Sequence, residues 1–578
     1  MAIFPQFGPD PESSLLQQCQ YIIHRVTVLL DELERLKAAI ERRPASGHKP
    51  VAWNQAVPGL GLFERLIISE KKHLAKMVQA YDVEPGEEVD TEALDSRIRL
   101  RLDASNYKFY ETVWEVTKRC CDLAGMRREL AYKTVGEKSI SAVIDLVVNG
   151  GADWVKVVTT TERRLFYEMA DAGWDWEEDF TDEGADQSML EVLQDETEDS
   201  IEVAKVARHM VAAARTSYQD YRRPRVRILM SRISEGENES VDHLLRLVRK
   251  MGGDDVDLLV ETANGAGILT DPTPDLEETI SNLVNTDYYK DFTQTVNVDC
   301  SVFMALASDF SHMAIGPDSD LLRSKQHRID ATDEVENGPR LVNTLYPAIT
   351  GRTLVCTREA ADTFLKIVYE IGTDSEQSRT RILFDPSDAD TVPEDVEQDR
   401  RRRVAALQEL SVHPVPADLR LPVEIVDSVS WDDAQRMVAE GQLPAVALAV
   451  GKRGSGLNAM NVSSFLYGWT TRLTTVTSNW EAAKRLRTVI ETNRVTGTEV
   501  GPHIWRIPFS RKLLAKPKVP LPSGGGGRGE KEDGNGSSGS WRLKTRQERK
   551  AEKEESLQSW VASEQAETPA KSTTPDVE

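Results

Sequence analysis

Along the first segment the apolar residues Leu15, Cys19, Ile22, Val26, Leu29, Leu30, Leu33, Leu36 and Ile40 recur three and four apart, the spacing of one face of a long amphipathic helix. Such a face needs a partner. The pattern returns over 62–81 and 107–123, with Pro58, Gly59, Pro85 and Gly86 between the runs, so residues 1–135 are predicted to be a helical N-terminal region. At Ala142 the rhythm changes. AVIDLVVNGGADWVKVV places two β-rich runs around Asn149, Gly150 and Gly151, the composition of a hairpin. Residues 174–200 are dominated by Asp and Glu and read as a solvated acidic loop, and helical spacing returns over 201–218. Val226 to Met230, a helical stretch through Val241 to Met251, and Val256 to Val260 then read strand, helix, strand, the unit of a parallel sheet. Together these runs define a middle α/β domain over 136–262, followed by a polar linker over 263–290 that contains Pro272 and Pro274.

A further alternating series begins at Thr295. Its predicted strands are Thr295 to Val298, Thr353 to Cys356, Val423 to Val426, Val446 to Val450, Leu473 to Val476 and Ile504 to Ile507, with helices between several of them. This gives a C-terminal α/β domain with a parallel sheet over 291–515. From Ser523 the chain runs SGGGGRGEKEDGNGSSGS and then mixes Lys, Arg and Glu, a composition that cannot bury a core, so 516–578 are expected to be a disordered tail. The basic cluster Arg542, Lys544, Arg546, Arg549 and Lys550 lies within it. It is a nuclear-localisation or RNA-touching candidate, although charge runs commonly do no more than face solvent.

A chain of 578 residues exceeds what one hydrophobic core serves. Its net charge of −24 repels phosphate polymers as a whole, so any nucleic-acid contact requires a local basic surface. No apolar run reaches the roughly 18 residues that cross a bilayer, and MAIFPQFGPDPESS lacks the features of a secretory signal. The expectation is a cytoplasmic or nuclear protein without a membrane partner. The five cysteines include no CxxC pair, which argues against structural zinc. Neither HExxH nor a GxSxG elbow occurs, which leaves zinc-hydrolase and serine-hydrolase readings without ligands or nucleophile.

Candidate chemistry centres on acidic residues at strand ends. TVNVDCSVFMALAS puts Asp299 at the end of a buried strand and just ahead of a helix. Open α/β sheets hold ligands beyond the carboxyl ends of their strands, where a carboxylate can reach a divalent cation. An Asp in that position also serves as an N-cap, and spacing alone favours the cap. TLVCTREAADTFLKIVYEIG repeats the arrangement with Glu359 and Asp362 in the first helical turns. Two or more carboxylates converging on Mg²⁺ or Mn²⁺ would support phosphodiester hydrolysis, whereas acids in a first turn also simply complement the helix dipole. Tyr288, Tyr289 and Phe292 are candidates for base stacking, against the plainer reading of core packing.

Four segments, VIDLVVNGGADWVKVV, VNVDCSVFMALASDFSH, TLVCTREAADTF and LTTVTSNWEAAKRL, occur in an order that resembles the eukaryotic family defined by domain of unknown function 1308. The resemblance covers about 70 residues between Val143 and Leu486, and it implies a C-terminal domain related to the PIN-like fold of metal-dependent ribonucleases. On that resemblance Asp299 matches the first metal-binding Asp, and Glu359 or Asp362 the helical acidic position. Asn479 stands where the pattern expects a further Asp, and a neutral amide is a poorer ligand for a hard cation. The glycine-rich turn of the pattern is represented by GKRGSGLN, which holds no acid.

That departure extends along the chain. Between Glu440 and Glu481 there is no Asp or Glu, where overall composition predicts about six. The same stretch carries Lys452, Arg453 and Arg472 with several glycines, a candidate phosphate pocket of cations and backbone N–H groups. The plainer reading of Gly451, Gly454 and Gly456 is a flexible loop. Two classes of function follow. One is a non-catalytic binding or scaffolding module for RNA or a protein partner; the other is a metal-dependent ribonuclease using Asp299, Glu359 or Asp362 and an acid from around Asp318 and Asp320.

Overall fold

The computed structural model describes residues 13–42, 52–80, 91–133, 139–174, 183–194, 201–284, 287–384 and 396–516. The expected tail beyond Lys516, with its basic cluster, lies outside the described residues. Helix Leu15–Arg42 buries Cys19, Ile22, Val26, Leu29, Leu33, Leu36 and Ile40, the stripe its spacing predicts. The stripe packs against helix Leu60–Gln79, through Leu60, Phe63, Ile67 and Leu74, and against helix Tyr107–Lys118. Fully burying each such side chain stabilises by about 1.5–3 kcal/mol, so the three helices hold together through apolar area. Among the described residues no helix is long and apolar enough to cross a membrane.

The middle sheet has five strands: β1 (Gly125–Lys133), β2 (Ser139–Val148), β3 (Asp153–Val158), β4 (Arg225–Met230) and β5 (Leu258–Thr262), in that spatial order. β1, β2 and β3 pair antiparallel, and β3, β4 and β5 run parallel. The predicted hairpin is β2–β3, turning at Asn149 and Gly150, both with positive φ. Alternation along the strands sorts side chains to two faces. Val155, Val157 and Leu229 meet the N-terminal helices, and Trp154, Val226, Ile228 and Met230 meet helices Glu202–Arg215 and Glu239–Lys250.

Three boundaries differ from the sequence reading. β1 begins at Gly125, inside the region assigned to helices, because its outward positions Arg128 and Glu129 are exposed and leave no apolar run to mark a strand. Within the acidic loop 174–200 a helix forms at Glu183–Gln194; Met189, Leu190 and Leu193 pack beside Trp174. The linker contains helix Leu276–Leu283, capped by Asp275. It returns to the N-terminal layer, where the Asp122 and Leu123 amides donate to the Asn282 and Leu283 carbonyls.

The C-terminal sheet is parallel throughout, with β6 (Thr295–Val298), β7 (Thr353–Thr357), β8 (Glu424–Val426), β9 (Thr474–Thr477) and β10 (Ile504–Arg506) in the order β10-β9-β6-β7-β8. Five of the six predicted strands are present. The sixth, 446–450, is part of helix Ala447–Gly451. Leu443, Val446, Ala447 and Val450 are all buried at steps of three, one and three, which is helical spacing, and a strand would have turned half of them to solvent. One face of the sheet carries Val296, Val298, Leu354, Cys356 and Val476 into its main core. Helix Ala459–Thr470 crosses the other face, where Asn297 donates to the Ser464 carbonyl at 2.8 Å and to Thr475 Oγ1 at 3.0 Å.

Candidate functional site

Strand order reverses between β6 and β9, so this is the switch point at which open α/β sheets form a crevice. Asp299 leaves β6 there, and Thr477, Ser478 and Asn479 leave β9. The Asp299 side chain is only 1% exposed. Its Oδ1 accepts from the Ser301 amide at 2.9 Å, the Val302 amide at 3.3 Å and the Ser301 hydroxyl; its Oδ2 accepts from the Thr477 hydroxyl. The seam closes back on itself, since the Ser478 amide donates to Ser301 Oγ at 2.8 Å and the Asn479 amide to Thr477 Oγ1 at 2.9 Å. Burial pushes the Asp299 carboxyl above its ordinary value, against the pull of the bonds from Ser301 and Thr477. Asp299 is the N-cap of helix Cys300–Ala307 and a strut between two strands.

The other predicted acids do not join it. Glu359 begins its helix beside β7 and accepts from Ser428 at 2.7 Å, on the β8 side of the sheet, whereas Asp299 is bonded toward β9. The second oxygen of Glu359 is buried without a hydrogen-bond partner. Asp362 is exposed one turn further along. Asn479 caps helix Trp480–Thr492 by accepting from the Ala482 amide at 3.1 Å. Asp318 and Asp320 are exposed in the loop that follows helix Asp309–His312. Among the described residues no three His, Cys, Asp or Glu side chains are grouped to hold a metal ion. Mg²⁺ and Mn²⁺ take several oxygens from carboxylates, carbonyls and water; with both Asp299 oxygens already hydrogen-bonded in a buried seam, Asn479 capping and Glu359 held by Ser428, these residues do not converge as a donor set for either ion.

The residues of the predicted phosphate pocket lie at the ends of different elements. Lys452 is exposed beyond helix Ala447–Gly451, whereas Arg472 occupies a positive-φ turn at the amino end of β9, opposite Thr477. The Arg453 side chain lies outside the described residues. The loop is tied down at Gly456, whose carbonyl accepts from Arg485 at 2.7 Å. Tyr289 and Phe292 form an aromatic cluster with Trp505, at centroid distances of 5.3 and 5.4 Å. Burial raises the Tyr289 phenol to about 12, and its hydroxyl donates to the Thr344 carbonyl. These two rings serve packing.

No protein-family model, curated protein or solved structure matches the chain.

What sequence reasoning missed lies between the two sheets. A cleft of about 1220 Å³ is bounded by the β2–β3 turn, the turn at Gln219–Arg222, the first half of helix Trp480–Thr492 and the end of β10. Of its cations, Arg225 is neutralised by Asp257 at 2.6 Å, Lys290 by Asp122 at 2.5 Å and Arg223 by Asp255 at 2.6 Å. Arg222, Lys484, Arg487 and Arg506 also line it, and none of them has a carboxylate partner among the described residues. Arg487 donates to the Tyr218 carbonyl, and Arg506 stacks 4.2 Å above the half-exposed Trp480 ring. The one local trace in the sequence is the basic run Arg222, Arg223, Pro224, Arg225; Lys484, Arg487 and Arg506 come from more than 250 residues away along the chain, as the 269-residue step from Tyr218 to Arg487 illustrates.

Proposed function

We propose that this chain is a non-catalytic binding module for RNA or a protein partner, built on a divergent PIN-like sheet. The observation that carries this reading is the state of Asp299. Metal-assisted hydrolysis requires carboxylate oxygens free to coordinate and open to substrate, whereas both Asp299 oxygens accept hydrogen bonds in a buried seam. The acid-free stretch 441–480 supports the same reading, because it follows into the strand end where the resemblance expects a further Asp.

A second reading, a ribonuclease using Asp299, Glu359 and Asp362 with Mg²⁺ or Mn²⁺, is favoured by one detail: the buried, unpartnered oxygen of Glu359. The two readings separate on cleavage of single-stranded RNA by the full chain with Mn²⁺, for the wild type and for Asp299→Asn. The binding-module reading expects intact RNA with both proteins. Cleavage by the wild type that disappears in Asp299→Asn would overturn it.

A further inference from the structure

Resting on the binding-module reading, we infer that the cleft between the two sheets is a binding groove for single-stranded RNA, with Arg222, Lys484, Arg487 and Arg506 on its phosphates. The first argument is charge. The cleft lining holds seven Lys or Arg side chains against five Asp (Asp122, Asp153, Asp220, Asp257 and Asp291), and four of the cations, Arg222, Lys484, Arg487 and Arg506, have no carboxylate partner among the described residues, so in a protein of net charge −24 the cleft is a locally cationic surface of the kind a phosphate polymer requires. Lys484 and Arg487 are three residues apart on one helix, so they occupy neighbouring positions on one face of it.

Backbone strain gives the second argument. Asp220 and Tyr221 both have positive φ, 46° and 66°, within a tight turn closed by the Gln219–Arg222 bridge. Turns of this kind favour Asn and Gly at these positions, and a tyrosine held there costs on the order of 1 kcal/mol. The strain is maintained from the other domain: Arg494 donates to the Tyr221 carbonyl at 2.6 Å, and Gly501 gives room for the Tyr221 ring. Arg222 ends this turn exposed in the cleft lining, with its backbone paired to Gln219 and its side chain without a hydrogen-bond or ion-pair partner among the described residues.

Size and aromatic content select the ligand. Pockets for small molecules occupy about 300–1,000 Å³, and this cleft exceeds them at about 1220 Å³. The half-exposed Trp480 ring is not part of the cleft lining, but Arg506, which is, lies 4.2 Å over one of its faces, so a stacking surface adjoins the cleft on that side. Such a combination suits unpaired bases on a charged backbone, because every base has a face that stacks on an aromatic ring and a phosphate that pairs with a cation.

The test is fluorescence anisotropy of a labelled 15-nucleotide oligouridine with the full chain, titrated at several salt concentrations. Four phosphate contacts predict a slope of about −2.8 in log K against log salt, and each cation contributes about fivefold in affinity near 0.1 M salt. Arg222→Glu with Lys484→Glu removes two contacts from side chains that have no internal partner among the described residues, so folding is not at stake. That double variant is expected to bind at least 25-fold more weakly, while Arg358→Gln with Arg436→Gln, exposed elsewhere, binds as wild type. Absence of saturable binding at 50 mM salt, equal affinity in the double variant, or displacement of the RNA by a lower concentration of polyglutamate would each overturn the groove. These outcomes are independent of the manganese cleavage assay: cleavage would refute the binding-module reading even with the groove intact, and loss of binding would refute the groove alone.

Discussion

The Thr477 hydroxyl donates to Asp299 Oδ2, joining the ends of two adjacent strands whose residues are 178 positions apart in sequence. That bond converts what the sequence offers as a metal ligand into part of the frame. Removing the hydroxyl would leave a buried carboxylate oxygen unsatisfied. Thr477→Val is therefore expected to lower stability by about 2–3 kcal/mol, and Thr477→Ser by less than about 1 kcal/mol. Urea denaturation of the two variants measures the difference; equal midpoints would mean the bond does not form.

A second buried network holds the far end of the helix that Asp299 caps. Arg379 pairs with Asp309 at 2.7 Å, with both side chains almost fully buried, and donates to the Ala307 and Leu410 carbonyls. Asp309 also accepts from Thr373 and Ser375. Arg379→Met alone strands a buried charge and is expected to cost about 3–5 kcal/mol, whereas Arg379→Met combined with Asp309→Leu should recover much of that loss. Chemical denaturation of the single and double variants reads this out, and a double variant less stable than the single one would contradict it.

His312 gives the fold an acid-sensitive element. Burial first, and then the nearby Arg379 charge, lower its pKa to about 3, against the bond to the Leu306 carbonyl and the pull of Asp309; His413 adds a small further lowering. Between pH 6.5 and about 3 the unfolded chain therefore binds more protons than the folded one. Its contribution is complete above pH 6.5 and is lost as the pH falls through that window, by up to about 1.4 kcal/mol per unit. Thermal melts from pH 7 to 4 should show a shallower decline for His312→Leu, despite a lower melting temperature at pH 7. Parallel curves would exclude this role.

Close approach of a helix to the C-terminal sheet depends on Gly468. A Cβ added there would stand 2.0 Å from Thr475 Oγ1 and 3.2 Å from the Asn297 amide nitrogen. Gly468→Ala is expected to destabilise by roughly 1–3 kcal/mol through overpacking, and the companion change Thr475→Ala should restore part of it. Differential scanning calorimetry decides between that and additive losses.

Much of the architecture is written in local order. Three-and-four spacing from Leu15 to Ile40 marks its helix, Asn149 and Gly150 mark the β2–β3 turn, and five strand runs give the parallel sheet. Each depends on neighbours a few positions away, where periodicity and turn chemistry act. Val446–Val450 shows the limit, since a short apolar run is compatible with either period until its neighbour Leu443 joins the same buried face.

The candidate site was legible only as a set of residue types. Sequence placed Asp299 at the end of a strand and Glu359 in the first turn of the helix that follows another, and both lie there, with Asn479 just beyond a third strand. Which hydrogens would claim their oxygens depended on Thr477 and Ser428, brought in by sheet order rather than by spacing. The cleft was hidden for the same reason, because its cations Arg222 and Lys484 share a surface only once two sheets are docked. Periodicity is a one-dimensional property and fixes elements; hydrogen-bond saturation and charge pairing are properties of three-dimensional neighbourhoods, and here the neighbourhood turned a metal-ligand candidate into a cap.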